Sequence, residues 1–444
     1  MSIAFDIAAV VISIVLLLKN YKRITLSSRY LIYFLFLFYY VIPLILDVVY
    51  MRPEYTKSLY RGFNLTRDDE LTRCIYDLFV VYSQLVILNF RRWKTTPEYM
   101  DSLKVSELEE KLEIKEFTVN LFIVIGAVLP VLLTVILPVN KRALFVFQWR
   151  EYGIIDYTKH FGFIEQFTYI GIICTLVLLV RAIQNRRFGA VLMYGVLLFM
   201  NICIQGKRSI LFFALLVYIL IMLPGLRNKA LDSKERRRKM FGIVIIAVIA
   251  VGIMIASTLV VKVTSRGYDA NDFSELYTAL RIDFFRDDRV RMAIYAILNP
   301  NQMKIVDFPG QTLLPIPTWI FPIDHILGKF GISYPAYTSY FCSALLMLPR
   351  SQSFTYMTPC IYAELISNFG FFGALFMPFL CVWFASKADK YPYPFNVFIL
   401  VSFIALQMYA ISYMAYYFEF VFLMCWLVRS GKRIVIGRFG RIQE

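Results

Sequence analysis

Apolar blocks about as long as a bilayer is thick recur from one end of this chain to the other, and basic stretches separate them. A hydrocarbon slab of roughly 30 Å takes about 20 helical residues to cross. Residues 3–18, 30–51, 74–90, 117–139, 163–180, 189–204, 210–224, 241–263, 361–385, 395–414 and 415–428 each read as such a span. With 59% of 444 residues apolar, the chain carries more hydrophobic surface than a soluble core would hold. Period-two alternation is nowhere sustained, so helices and not a barrel must satisfy the backbone. The expectation is an all-α polytopic membrane protein of about 11 transmembrane helices. Asp6 lies in the first span, no basic residue precedes it and no small-residue cleavage site follows, so a removable signal peptide is not expected.

The net charge of +16 raises the question of nucleic acid, but the basic residues lie between apolar blocks instead of forming a stripe. Topology accounts for them. With the N-terminus outside, segments 19–29, 91–116, 181–188, 225–240, 386–394 and 429–444 place 27 Lys and Arg inside, and 19 are spread over the longer outer segments. The densest clusters, Arg227 to Lys239 and Arg429 to Arg441, both fall inside, as the positive-inside bias requires. The localisation expected is a bacterial cytoplasmic membrane. No repeat or detachable soluble domain is visible, so residues 1–444 read as one membrane domain with a large outer loop subdomain at 264–360. The inner segment 91–116, acidic and basic by turns, reads as a solvated linking helix. Of seven cysteines, Cys74, Cys174, Cys203, Cys381 and Cys425 fall at or within spans as small buried hydrophobes, and Cys342 and Cys360 lie in the outer loop, where a disulfide is the lesser alternative.

Nearly a hundred residues between two spans is far beyond an ordinary connection, and loops of that size are usually functional. Asp272 is set to cap a helix with Glu275 closing a capping box, and a single amphipathic helix of about 25 residues should run to Asn299-Pro300. That helix is expected on the membrane surface or over the bundle mouth. It carries Arg281, Arg286, Arg289 and Arg291 among Asp283, Asp287 and Asp288. On a water-facing surface these are a self-neutralising cluster worth under about 1 kcal/mol per pair, or else planar donors for a diphosphate headgroup. Arg286 and Arg289, three apart, can share a face, whereas Arg291 points elsewhere. Prolines and aromatic residues follow, including Trp319, Phe321, Tyr334, Tyr337 and Tyr340, which suit a headgroup level or sugar faces.

Three further features carry candidate chemistry. Gln205-Gly206-Lys207-Arg208-Ser209 is a minimal outer turn, where positive charge opposes the topological bias. Lys207, Arg208 and the helix start capped by Ser209 form a phosphate seat. Thr358 as cap and Pro359 at the first helical position start the next span, and Glu364 one to two turns inside is either the partner of an outer Arg or the acceptor of a hydroxyl proton. His325, one of two histidines, is a loop base or a solvated side chain. No metal-ligand spacing exists, and no cofactor is expected. Asp47 and Asp77, near the outer ends of their spans, are expected to pair with outer-loop arginines such as Arg67 and Arg142.

Gly206-Lys207-Arg208-Ser209, Pro309-Gly310-Gln311, Ile316-Pro317-Thr318-Trp319-Ile320-Phe321-Pro322, and Thr358-Pro359 through Glu364 to Asn368-Phe369-Gly370-Phe371-Phe372-Gly373 occur here in order. Together they resemble the Wzy-type oligosaccharide repeat-unit polymerases of O-antigen and capsule synthesis, over roughly residues 200 to 385 by motif. The resemblance implies a metal-independent GT-C-like membrane glycosyltransferase, with undecaprenyl-diphosphate-linked oligosaccharide as donor and acceptor and a chain-length regulator and flippase as partners. Arg208 matches the arginine of the short outer turn, and Arg289 or its neighbours the basic residue of the loop helix. Where relatives show Pro-Arg and then Lys-Pro, this chain has Pro322-Ile323-Asp324-His325. Rival readings are an O-antigen ligase, a GT-C transferase with Asp68 and Asp69 as base, and a lipid-linked sugar flippase, which predicts charge distributed through the bundle interior.

The topology is testable with single cysteines at positions 300 and 235 in a cysteine-free background. Reagent applied to intact cells should label position 300 and spare 235; the reverse pattern inverts the orientation.

Overall fold

A computed structural model describes residues 2–20, 28–50, 52–57, 60–90, 120–136 except 122, 186–205, 267–313, 337–348 and 359–390, with scattered positions in 171–183 and 234–263 and residues 330, 407 and 411. Every regular element among these is helical. In chain order they are α1 (Ser2–Asn20), α2 (Ser28–Phe36), a π-helical turn (Leu37–Val41), α3 (Ile42–Tyr50), α4 (Arg61–Asp68), α5 (Glu70–Asn89), a second π turn (Val124–Val128), α6 (Leu129–Ile136), α7 (Phe188–Gln205), α8 (Phe273–Phe284), α9 (Asp287–Leu298), a short 3₁₀ turn (Gln311–Leu313), α10 (Tyr337–Leu345), α11 (Ile361–Phe369) and α12 (Phe371–Lys390).

Among the described residues four helical stretches are long and apolar enough to cross a membrane: Ile3–Asn20, Ser28–Tyr50, Glu70–Asn89 and Phe371–Ala388. The first three match the spans read at 3–18, 30–51 and 74–90 to within a few residues. The fourth corrects the reading of 361–385 as one helix. Gly370 breaks it with φ +60° and ψ −145°, a conformation open essentially to glycine alone. Gly373 then lets the two helices touch, because a Cβ there would lie 2.1 Å from the Leu365 carbonyl oxygen.

The chain divides into two compact units, one of residues 1–96, 262–390 and 402–416, the other of 97–261, 391–401 and 417–444. In the first, side-chain contacts fix the helix directions. Asp6 meets Arg73 and Ser13 meets Gln84, so α1 and α5 run parallel. Arg29 bonds the Phe90 carbonyl and Tyr76 the Tyr40 carbonyl, so α2 and α3 run against α5. Tyr82 bonds the Leu375 carbonyl and Phe90 meets Phe379, so α12 runs with α5. Buried Gln84 ties three of these helices together through Ser13 and Tyr33. Around it Phe36, Tyr40, Phe79 and Tyr362 form an aromatic core of tilted and edge contacts, the geometry that ring quadrupoles favour.

Both π turns end two residues before a proline, Pro43 and Pro130. Proline has no N–H, so a helix that contains one leaves a carbonyl a turn earlier without its partner, and the ladder widens locally. In the second unit the Ala127 carbonyl accepts from Asn201, 3.0 Å away. Gly171 sits against Gly126 so closely that a Cβ would come within 2.4 Å of its backbone.

A glycine series tests this packing. Gly370→Ala should cost about 1–3 kcal/mol through its backbone conformation, and Gly373→Ala should force α11 from α12. Gly195→Ala, where a Cβ meets nothing, should be neutral or stabilising by up to about 1 kcal/mol. Thermal unfolding in detergent, followed by fluorescence-detected size exclusion, ranks the three.

Candidate functional site

The helix pair α8 and α9 is where the outer-loop arginines lie. Asp272 caps α8, accepting from the amides of Ser274 and Glu275. Glu275 reaches back one loop further than a capping box requires, to the Asp269 amide, and also pairs with Lys57 at 3.2 Å. The single 25-residue helix expected here is two: the chain breaks at Phe285 and Arg286, where Phe285 is extended. The break meets an acceptor from another span. Pro43 cannot donate to the Tyr39 carbonyl, and the Arg286 amide takes that acceptor at 3.3 Å, which it could not do inside a continuous helix. Nor does the second helix float on a surface: ten of its twelve residues are buried, against α4, α5 and α11.

The four arginines separate into two pairs. Arg281, its side chain fully enclosed, bonds Asp47 at 2.5 Å and Asp287 at 2.6 Å and lies 3.6 Å from Asp288. Arg291 bonds Asp47 at 3.0 Å, lies 3.7 Å from Asp287 and stacks over the Tyr76 ring at 4.1 Å. Arg52 reaches Asp288 at 2.5 Å and the Thr66 carbonyl at 2.7 Å, and the Tyr55 hydroxyl donates to the same carboxylate. Burial would raise the Asp288 carboxyl, but Arg52 and Arg281 outweigh it and hold the group down at about 2. Three arginines thus meet three aspartates inside the protein. Asp47 does find arginines, as expected, though from the distant loop helix and not from Arg67 or Arg142.

Arg286 and Arg289 form the second pair and lie on the other side of α9 from that cluster. Their Nη1 atoms both donate to the Phe285 carbonyl, at 2.7 and 2.8 Å, so the two guanidiniums converge on one oxygen. Arg286 also bonds the Asp283 carbonyl at 3.0 Å and Arg289 the Ile282 carbonyl at 2.9 Å, which caps the end of α8. Both side chains are buried, and the Arg286 Nε has no acceptor. Burial and the adjacent Arg286 push the Arg289 guanidinium down to about 10. The pair faces the start of α11: burial pushes the Cys360 thiol up, and Arg289 and Arg286 are among the groups that oppose it. Two guanidiniums and a helix N-terminus together favour an anion.

Cys360, not Thr358, occupies the cap position of α11, two residues later than expected, and Cys342 and Cys360 are both buried with no disulfide between them. Glu364, one turn in, is fully buried. Its carboxylate accepts from the Thr312 hydroxyl and the Ile411 amide. Asn368 completes the join, accepting from the Thr312 amide at 3.0 Å and donating to the Glu364 carbonyl at 2.8 Å. Beside it lies an open groove of about 550 Å³, lined by Asp307, Phe308, Ser367, Asn368, Phe369 and Phe372 among others.

No family model, curated protein or solved structure matches this chain.

Arg281, Arg286, Arg289, Arg291 and Glu364 are therefore brought into one unit, whereas Lys207, Arg208 and His325 lie outside the described residues. Asp69 is spent as the cap of α5, accepting from the Thr72 amide at 2.8 Å. Arg52, Tyr55, Thr312 and Asn368 were not singled out from the sequence as site residues. Only the Pro309-Gly310-Gln311 and Asn368-Phe369-Gly370 runs point toward the last two.

Removing one partner of a buried ion pair costs about 3–5 kcal/mol, so Arg281→Ala should abolish accumulation of folded protein while Arg289→Ala leaves it near normal. Because the Asp288 carboxyl is depressed in the folded state, its contribution is complete above about pH 4 and fades as pH falls toward about 2. Melting curves across that interval should slope downward in wild type. A flat profile would show Asp288 to be uncoupled from Arg52.

Proposed function

We propose that this chain is a metal-independent glycosyltransferase of the outer face of the cytoplasmic membrane. Its reaction joins undecaprenyl-diphosphate-linked oligosaccharide repeat units into O-antigen or capsular polysaccharide. The observation that carries this reading is the Arg286 and Arg289 pair, two buried guanidiniums converging on one carbonyl beside a helix start. Arg281 and Arg291 are committed to carboxylates and serve to fix α9 in place. Lys207 and Arg208 of the short outer turn remain, in this proposal, phosphate ligands on the strength of their sequence context.

In the reaction a terminal hydroxyl oxygen of the acceptor unit attacks the anomeric carbon of the donor chain. The bond from that carbon to the diphosphate oxygen breaks, and undecaprenyl diphosphate leaves with the electron pair. Guanidiniums already in place stabilise the charge that develops there, with no reorganisation at the moment of reaction. The hydroxyl proton passes to a base, for which His325 is our assignment. Glu364 is buried behind Thr312 and holds the 3₁₀ turn at 311–313 against α11, which makes it a positioning group for the wall of the acceptor groove. Phe308, Phe369 and Phe372 offer apolar faces there, and Asp307 and Ser367 offer hydrogen-bonding groups for sugar hydroxyls. A flippase reading is less well supported: the buried acids Asp6, Asp47 and Asp77 gather toward one end of the spans instead of lining a path through them.

Loss of the protein should leave single lipid-linked repeat units; accumulated finished chains would indicate a ligase instead. With reconstituted protein and purified lipid-linked repeat unit, Arg286→Ala and Arg289→Ala should each lower turnover about a hundredfold or more, and lysine should restore only part because it lacks the planar fork. Glu364→Gln should raise KM for the acceptor more than it lowers kcat. Turnover lost to a chelator and restored by a divalent cation would overturn the metal-free mechanism.

A further inference from the structure

The contacts of α8 run down the second candidate span, Ser28–Tyr50, in order. At its start Phe273 and Tyr277 set their rings against Tyr50, at 6.0 and 5.2 Å. Further along, Arg281 bonds Asp47. At its end Phe285 meets the Phe38 ring at 5.7 Å, and the Arg286 amide bonds the Tyr39 carbonyl at 3.3 Å. Tyr39 is eleven residues from either end of that span, so the break between α8 and α9 lies about 16 Å below Tyr50 at the helical rise. The way back is α9. It packs on α4 and α5, and its Asp288 reaches Arg52 and Tyr55, beyond the end of α3.

A third helix end reaches the same depth. Tyr362, the second residue of α11, places its ring 5.9 Å from Phe36, 5.0 Å from Tyr40 and 5.4 Å from Phe79, so α11 begins at mid-span. The end of α8 and the starts of α9 and α11 therefore lie far from either end of the span, with Arg286 and Arg289 at the break, only 4% and 3% exposed. Non-helical backbone survives at such a depth only inside protein. Charged side chains there are costly and mark a path for ions or charged ligands. Along α8 the row Leu276, Leu280 and Phe284 is half-buried, as are Phe38 and Phe285 at the tip, so the cover on that side is apolar.

We propose that α8 and α9 form a re-entrant pair that carries Arg286 and Arg289 to the middle of the membrane, so that the phosphate they hold arrives on a lipid, past the apolar side of the pair. The depth is independent of the reaction, whereas the choice of phosphate rests on the reading above. A headgroup must then be drawn below the membrane surface to reach the guanidiniums. The two helix starts lower the cost of holding its charge there. The same depth keeps water-borne diphosphate out and retains the spent carrier in the bilayer.

Nitroxides read the depth in the purified full chain in nanodiscs, attached singly at Phe273→Cys, Leu280→Cys, Phe284→Cys and Pro300→Cys in a cysteine-free background. Oxygen concentrates in the bilayer interior and a nickel chelate in water. The ratio of their collision rates should rise from position 273 through 280 to 284 and fall again at 300. Any other order would overturn the re-entrant placement. Thermal unfolding reads the source of the phosphate. Undecaprenyl diphosphate supplied in the nanodisc should raise the melting temperature of wild type and leave that of Arg289→Ala unmoved. Inorganic diphosphate at the same concentration should move neither. Equal protection by inorganic diphosphate would overturn the approach from the lipid and leave the diphosphate reading standing. Protection that persists in Arg289→Ala would remove the ligand from the pair, and protection by neither compound would overturn the diphosphate reading itself, whatever the nitroxides show.

Discussion

Arg281 is a fully enclosed guanidinium, and the first unit is organised around keeping it neutralised. A buried charge is tolerated only when paired and hydrogen-bonded. Its partners come from two places far apart in sequence: Asp47 at the end of a span, and Asp287 and Asp288 at the start of the next loop helix. Each partner is itself shared, Asp47 with Arg291 and Asp288 with Arg52. The lattice of charges therefore fixes the end of α3, the extended segment after it, α8 and α9 in one geometry. Apolar packing alone would leave those helices free to slide, since hydrophobic contacts carry little directional information.

The second constraint is a missing hydrogen bond. Pro43 leaves the Tyr39 carbonyl without its helical donor, and the Arg286 amide supplies one across about 250 residues of chain. A backbone N–H is free to do so only where a helix has just ended, so the break between α8 and α9 and the π turn in the second span imply each other. The break also turns the last carbonyls of α8 toward Arg286 and Arg289. A local defect in a membrane helix thus decides where two guanidiniums converge.

This division explains what was legible in the sequence. Long apolar blocks and local capping are encoded by neighbouring residues, so the first three spans and the Asp272 cap emerge from spacing alone. The pairing of Asp47 with arginine followed from the cost of an acid near a span, but its partners Arg281 and Arg291 are more than 230 residues away, and no local pattern names them. The apolar stripe from Phe273 to Leu298 runs through the break without interruption. The acceptor that meets the Arg286 amide at the break lies in the distant second span. Gly370 stood in a motif noted for its resemblance, yet the sequence around it still read as one continuous span, because a single glycine inside an apolar run is common in membrane helices.

Separating neutralised from convergent arginines has a physical logic of its own. A guanidinium that must hold a diphosphate cannot also be held by a carboxylate, since the ligand would then have to displace an internal ion pair. Carbonyl acceptors are weaker competitors, carrying partial charge only, so Arg286 and Arg289 can be oriented by Phe285, Asp283 and Ile282 without being neutralised by them. Mutual repulsion is the cost of that arrangement, and it is borne by the rigidity that the Arg281 cluster gives to α9. The three acids around Arg52, Arg281 and Arg291 hold α9, and with it the arginine pair, in place.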